Sequence, residues 1–363
     1  MLFNRLETTY GISGSSLEWI KSYLYNRTQK ITIRGKQSRP FSLQWGVPQG
    51  SVLGPLLFTL YTGPLCEVIS SHDGIHHAIY ADDTQLYVVM KADVGERVAA
   101  ISKLRDCLRD VKSWSSANNL KLNEAKTEML HITSMFRHET ADPSDFSGFC
   151  VEKSEHVWDL GVTFDSNLSF RQHIRNKCRT ASWGLTKIGR IRKFLNKSAT
   201  EKLIHAFVSS HLDYCNSLMV GLPQSHIAPL QRIQNTAARL VKRTRKFERI
   251  TPIIRSLHWL PVQQRITFKI LLLVYKAIHN QAPSYLQNLI SIRSSSLASS
   301  SRRLRSHASA HLQLIPGPRT KTQYGDRSFT VIAPKLWNEL PISVREAQSV
   351  DEFKSLLKSH LFE

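Results

Sequence analysis

The chain has 363 residues, room for two or three domains of ordinary size, and its 41% hydrophobic and 21% charged content excludes a largely disordered protein. Its 49 Lys and Arg against 28 Asp and Glu leave a formal charge of +21, which points to a polyanionic partner, nucleic acid first. A membrane partner is set aside, because the apolar run at 268–278 is too short to span and Lys269 and Lys276 interrupt it.

Residues 15–25 place Leu17, Ile20, Tyr23 and Leu24 at helical spacing. Residues 29–35 and 38–45 alternate like strands about Arg34-Gly35-Lys36-Gln37, a hairpin pattern. Next comes Gly46-Val47-Pro48-Gln49-Gly50-Ser51-Val52-Leu53-Gly54-Pro55, where Gly46 and Gly50 allow positive φ and close approach of backbone to a ligand. On its own this stretch also reads as a plain Gly/Pro turn. An apolar helix follows over 56–61, ending near Gly63-Pro64.

Residues 74–90 set two Ile-, Val- and Tyr-rich runs about two adjacent acids, which reads as strand, turn, strand with the turn at Ala81-Asp82-Asp83-Thr84. No Lys or Arg lies in the turn or in either run. Adjacent carboxylates left unneutralised suit Mg²⁺, a hard cation that takes carboxylate oxygens and keeps water or substrate phosphate as its other ligands. An ordinary Asp-Asp turn is the plainer reading of two acids taken alone. His72, His76 and His77 form the nearest imidazole cluster, and surface histidines beside a strand are commoner than metal ligands.

The spacing predicts an amphipathic helix over 94–114 with Val98, Ile101, Leu104, Leu108 and Val111 on one face, stopping at Asn118-Asn119. A turn and strand over 120–133 carry Lys121-Leu122-Asn123-Glu124-Ala125-Lys126-Thr127-Glu128. After a turn at Asp142-Pro143-Ser144-Asp145, a strand over 157–164 closes the region at Asp165-Ser166-Asn167. The order is α+β.

Residues 171–255 hold 18 Lys and Arg against Glu201, Asp213 and Glu248, a net +15. Ser198-Ala199-Thr200-Glu201 reads as a capping box opening a helix with Leu203, Ile204, Phe207, Val208, Leu212 and Cys215 on one face. Ser225 is placed to cap a second helix with Pro229 in its first turn and Ile227, Leu230, Ile233, Ala237, Leu240 and Val241 inward. Lys187, Arg190, Arg192, Lys193, Lys242, Arg243, Arg245 and Lys246 are the candidates for tracking a phosphate backbone. Solvation of a helical bundle is the competing reading, weakened by the one-sided sign.

A helix runs from Leu260-Pro261 to about His279, and Pro283 ends that unit. Residues 291–311 are a Ser/Arg-rich linker able to touch RNA. The tail, 312–363, closes with a helix from a second capping box, Ser349-Val350-Asp351-Glu352, presenting Phe353, Leu356, Leu357 and Leu361. Cys66, Cys107, Cys150, Cys178 and Cys215 lie far apart without a Cys-x-x-Cys, and the N-terminus carries no signal sequence. An intracellular protein of the cytoplasm and nucleus is expected, without a disulfide framework or zinc knuckle.

The Gly-rich loop and the Asp-Asp hairpin about thirty residues after it resemble motifs B and C of reverse transcriptases, specifically those of non-LTR (LINE-type) retrotransposons. Ser256-Leu257-His258-Trp259-Leu260-Pro261-Val262 and Ala333-Pro334-Lys335-Leu336-Trp337-Asn338-Glu339-Leu340-Pro341 are similar to the region that follows the polymerase in such elements. The resemblance implies an α+β partial right-hand polymerase palm, an antiparallel sheet with helices, over 1–165. A basic helical thumb over 166–255 follows, then a helical segment over 256–290, the linker and a small, mostly helical C-terminal region.

It also implies the roles. Asp82 would chelate metal with Asp83 beside it, and Tyr80 would lie near the primer terminus. Pro48, Gln49, Gly50 and Ser51 would line the nucleotide pocket. Lys126, with Asn123 nearby, would neutralise the pyrophosphate, and Leu160-Gly161-Val162 would grip the primer. The reaction is template-directed nucleotidyl transfer with two Mg²⁺ ions, on deoxynucleoside triphosphates, with RNA template and RNA–DNA hybrid as partners.

The family's other ligand-bearing strand, in motif A, belongs just ahead of Met1. Glu7 and Glu18 are the only acids upstream of the Gly-rich loop, and neither follows an apolar strand. The expectation is therefore a reverse transcriptase family chain that does not polymerise alone, unless a longer element-encoded protein supplies the missing strand. The alternative is a catalytically silent RNA- or DNA-binding protein derived from a retrotransposon.

Overall fold

A computed structural model describes residues 1–90, 93–132, 152–293 and 312–362. The Asp142-Pro143-Ser144-Asp145 turn and most of the Ser/Arg-rich linker lie outside the described residues. The chain is mixed helix and antiparallel strand pairs, and it divides into two compact units, one holding Met1–Glu128 and the other Lys153–Glu363. No described helix is long and apolar enough to cross a membrane.

In the first unit, α1 (Leu2–Thr8) and α2 (Gly14–Leu24) lead into a hairpin. Its strands β1 (Arg27–Gln29) and β4 (Phe41–Leu43) pair antiparallel, as do β2 (Thr32–Ile33) and β3 (Lys36–Gln37). Both turn residues are left-handed, Arg34 at φ 48° and Gly35 at φ 79°, which matches the twist of the flanking strands. After α3 (Gly54–Thr62) and α4 (Leu65–Ser70), β5 (Ile75–Tyr80) and β6 (Asp83–Val88) form a ribbon. The helix α5 (Val94–Ala117) follows, with the Asp93 carboxylate accepting the Glu96 amide at its start.

Strand alternation sends Ile75 and Ile79 of β5, and Leu86 and Val88 of β6, to one face. There they pack with Leu65, Ile69, Leu104, Cys107, Val111 and Trp114 of α4 and α5. The buried line of α5 runs through Cys107 and not through Val98, which is exposed. Arg5 ties the unit's start to its later helices: it donates to the Tyr61 carbonyl and the Asn118 side chain and lies over the Trp114 ring.

The second unit opens with β7 (His156–Asp159) and β8 (Val162–Asp165), joined at Leu160-Gly161. The single strand expected over 157–164 is thus a hairpin. α6 (Arg171–Ile191) and α9 (Gln224–Lys242) pack across α7 (Lys197–Ile204), a π-helical turn His205–Ser209 and α8 (Ser210–Asp213). Asn196, not Ser198, caps α7 through its side-chain oxygen. The wider π turn changes the helix phase, so Phe207 faces out while Ile204, Val208 and Leu212 stay buried. Pro223, not Ser225, precedes α9, and this places Pro229 in its second turn.

α10 (Ile250–Ser256) and α11 (Val262–Ile278) continue the same core. The tail joins it through α14 (Phe329–Asn338) and α16 (Val350–His360), which follow the short helices α12 (Ser284–Gln287) and α13 (Gln323–Asp326), with α15 (Ile342–Arg345) between them. Tyr275 stacks on Phe353 at 4.3 Å, and Trp337 lies 5.8 Å from the same ring. Half of the expected capping box of α16 is formed: the Ser349 hydroxyl accepts from the Glu352 amide, whereas the Glu352 carboxylate accepts from the amide of Gln348, one residue before the cap.

Candidate functional site

The β5–β6 register pairs Tyr80 with Asp83, so the turn residues are Ala81 and Asp82, one position earlier than the sequence suggests. Ala81 takes φ 55°, as the first of two hairpin residues in a primed turn does. Alternation then gathers His76, Ala78 and Tyr80 of β5 with Asp83, Gln85 and Tyr87 of β6 on the face away from the core. His76 and Tyr87 stack at 5.1 Å. Asp82 at the tip and Asp83 beside it are both exposed, and no ion pair to either occurs among the described residues.

Two carboxylates on one turn supply hard oxygen donors of the kind Mg²⁺ prefers. They are adjacent, and among the described residues no cation pairs with either, so a divalent ion is a group that would relieve their repulsion. Among the described residues no cluster of three or more His, Cys, Asp or Glu is placed to hold a metal ion. The turn thus fits part of a coordination shell, and His72 pairs with Asp110 at 3.0 Å, away from that role.

The Gly-rich loop hangs from Arg27, whose guanidinium donates to the Trp45 and Gly46 carbonyls. Gly46 and Gly50 both take φ 77°, and a Cβ at either position would meet nothing within 4 Å. The backbone angle, not crowding, selects glycine there. The Ser51 hydroxyl accepts the Gly54 amide at 3.1 Å and so is spent on the start of α3, while Gln49 is exposed and Pro48 half-buried.

Asn123 and Lys126 sit on an exposed 3₁₀ turn, Glu124–Lys126, in which the Asn123 carbonyl accepts the Lys126 amide at 3.0 Å. Lys112 reaches Glu124 at 2.7 Å, and that hydrogen bond holds the Glu124 carboxyl below its usual range. The structure therefore gathers the acids with Tyr80, residues 48–51 on one loop, and Asn123 with Lys126. No hydrogen bond or ion pair among the described residues links those groups to one another.

In the second unit Lys187, Arg190, Lys193, Arg243, Arg245 and Lys246 are exposed, and Lys242 is half-buried. Arg192 is put to another use. Its guanidinium donates to the Leu240, Val241 and Leu195 carbonyls at 2.7, 2.9 and 2.8 Å, closing the C-terminal end of α9. Burial and the neighbouring Arg243 push its pKa down.

Charge counting missed the aromatic residues among these cations: Trp183 is 62% exposed, Phe194 77% and Phe247 94%. For Trp183 and Phe194, helical spacing against Lys187 and Arg190 was the available signal. Also missed was Asp165, a buried carboxylate that accepts the Asn167, Ser169 and Phe170 amides at 3.2, 2.9 and 2.7 Å and so sets the start of α6.

Residues 4–164 match the family model described as reverse transcriptase (RNA-dependent DNA polymerase). Over 259 residues, 68% of this chain and 28% of the relative, the sequence is 27% identical to a probable RNA-directed DNA polymerase from transposon BS of Drosophila melanogaster. It is 30% identical over 163 residues, 43% of this chain, to the RNA-directed DNA polymerase from mobile element jockey of the same organism, covering 17% of that protein. To the probable polymerase of transposon X-element, also from D. melanogaster, it is 27% identical over 246 residues, 66% of this chain and 26% of the relative. The chain thus spans little more than a quarter of these relatives at most.

Proposed function

Residues 4–164 carry reverse transcriptase sequence of the LINE type, and from that premise we propose that the Asp82-Asp83 turn is the metal-gripping part of an RNA-directed DNA polymerase site. The observation that carries this reading is the pair of exposed, unneutralised carboxylates at the tip of a core-anchored β-ribbon, with Tyr80 directly across from Asp83. Asp82 is the principal ligand and Asp83 the supporting acid. Tyr80 presents its ring beside the primer end, and residues 48–51 face the nucleotide.

Two bound Mg²⁺ ions would activate the primer 3′-hydroxyl and steady the leaving pyrophosphate. In this chain the carboxylates orient and bind, and Lys126, beside Asn123, offers positive charge to the departing phosphates. Residues 1–165 are read as palm, with Leu160-Gly161-Val162 contacting primer, and the basic helices of 166–255 as thumb.

A two-metal site would need carboxylates from two separate elements, so Asp82 and Asp83 would have to be joined by at least one further carboxylate from another strand. Among the described residues none joins the pair, and the chain by itself is expected to bind nucleic acid without extending a primer. The test is primer extension on an RNA template with Mg²⁺ and deoxynucleoside triphosphates. Extension by the chain alone overturns the incomplete site. In a longer polypeptide that contains this segment and is active, Asp82→Asn is expected to abolish incorporation while leaving template binding intact.

The +15 charge of residues 171–255 favours a second reading, a silent RNA- or DNA-binding protein. It predicts salt-sensitive binding that Asp82→Asn leaves unchanged, with no incorporation in any context.

A further inference from the structure

α6 carries no carboxylate; Asp165 and Glu201 are the acids that bracket residues 166–200. Its apolar face, with Ile174, Ala181, Leu185 and Ile188, is already buried in the core of its unit. On the opposite side Arg179, Trp183, Lys187, Arg190 and, past the helix end, Phe194 succeed one another at steps of three and four residues, and all are exposed. Such steps line side chains up in a single stripe. The Lys187 ammonium lies 3.4 Å from the centre of the Trp183 ring, and the Lys193 ammonium 4.8 Å from that of Phe194. One face of Trp183 is therefore covered by a cation.

The stripe runs into a recess lined by Arg192, Asn196, Lys197, Lys242 and Arg243, with no carboxylate in its wall. Arg243 is held there by its bond to the Arg192 carbonyl at 3.1 Å. From Trp183 to Phe194 the distance along the axis is about 16 Å, close to five stacked nucleotides at about 3.4 Å each.

We propose that this stripe is a platform for single-stranded nucleic acid, with unpaired bases stacked on Trp183 and Phe194 and phosphates on Arg179, Lys187, Arg190 and the Arg243 recess. Rings on a convex helix face reach base faces only where the bases are unpaired, since a duplex hides those faces within its own stack. A membrane surface is disfavoured, because an interfacial helix inserts a continuous apolar face and that of α6 is already occupied. The inference rests on reading the second unit as nucleic-acid-binding, and adds what that unit binds.

The test uses the full chain and fluorescence anisotropy with three probes of equal length: a single-stranded RNA, the same strand with abasic sites, and an RNA–DNA hybrid. Each ring lost is expected to weaken binding of the single strand roughly five- to hundredfold, so the double variant Trp183→Ala/Phe194→Ala should lose at least about thirtyfold. Binding of the abasic strand and the hybrid stays within about twofold. Lys187→Gln/Arg190→Gln weakens all three probes and lowers the salt slope on the single strand by about 0.7 for each phosphate no longer neutralised.

Equal loss on every probe from the aromatic variant, or none on any, overturns the platform. So does binding to phosphatidylserine vesicles that disappears with the same aromatic substitutions while RNA binding persists. Failure of the wild-type chain to bind any of the three probes would instead remove the underlying nucleic-acid reading.

Discussion

Replacing Asp165 with Ala removes the acceptor for three backbone amides at once, those of Asn167, Ser169 and Phe170. Hydrogen bonds to a charged group contribute about 1.5–3 kcal/mol each, but water recovers part of that when the turn opens. The carboxylate also holds a backbone with unfavourable angles, Leu168 at φ 43° and Phe170 at φ 54°, each costing on the order of 1 kcal/mol for an L-residue. A net destabilisation of about 3–4 kcal/mol follows for Asp165→Ala. Asp165→Asn keeps one carbonyl acceptor and should cost about half as much. Urea unfolding followed by tryptophan fluorescence measures both, with hydrogen exchange at Ser169 and Phe170 as a local check. Losses below about 0.5 kcal/mol for both variants, with both amides still protected, would refute the view that this side chain organises the start of α6.

His173 is 2% exposed, and its Nδ1 accepts the Thr163 amide at 3.2 Å; burial, with Lys177 adding to it, holds its pKa down to about 4. As pH falls from about 6.5 the unfolded chain takes the proton first, so roughly 2–3 kcal/mol should be lost by pH 4 and His173→Asn should flatten that dependence in urea titrations. Gly161 has φ 80° and faces Tyr214, whose ring a Cβ would meet at 3.0 Å, so Gly161→Ala should lower the unfolding free energy by about 1–2 kcal/mol. Gly50→Ala has only its backbone angle to overcome and should cost about 1 kcal/mol by the same assay. Arg192→Met removes three carbonyl contacts and should destabilise by about 2–3 kcal/mol, whereas Arg245→Ala should change the salt dependence of RNA binding and leave the unfolding midpoint alone.

Elements that bury one face over several turns were legible in the sequence. α11 appears within two residues of its expected span, and α16 starts at its capping box, because apolar periodicity and local caps are written into contiguous residues. The Asp-Asp hairpin was legible for the same reason, although its turn moved by one residue once cross-strand pairing set the register.

Features that depend on distant partners were not legible. Nothing local announces the π turn at His205–Ser209, which allows the Phe207 carbonyl to approach Gly184 so closely that a Cβ there would lie 2.8 Å away. Arg192 looks like any other cation until the end of α9 arrives beside it. The tail's aromatic residues gave no sign that Trp337 and Phe353 meet Tyr275 of α11. At the candidate site, residue types and their order could be read, whereas the exposed face shared by Tyr80 and Asp83 follows from strand pairing alone.

Metal-directed cleavage tests the central claim most directly. With Fe²⁺ in place of Mg²⁺, hydrogen peroxide as oxidant and ascorbate to return Fe³⁺ to Fe²⁺, hydroxyl radicals formed at a bound ion cut the backbone beside it. Cuts at residues 80–84 that vanish in Asp82→Asn and are competed away by Mg²⁺ are the expected result. Cleavage that is confined to other segments, or that persists at 80–84 in the variant, would contradict a metal grip at this turn.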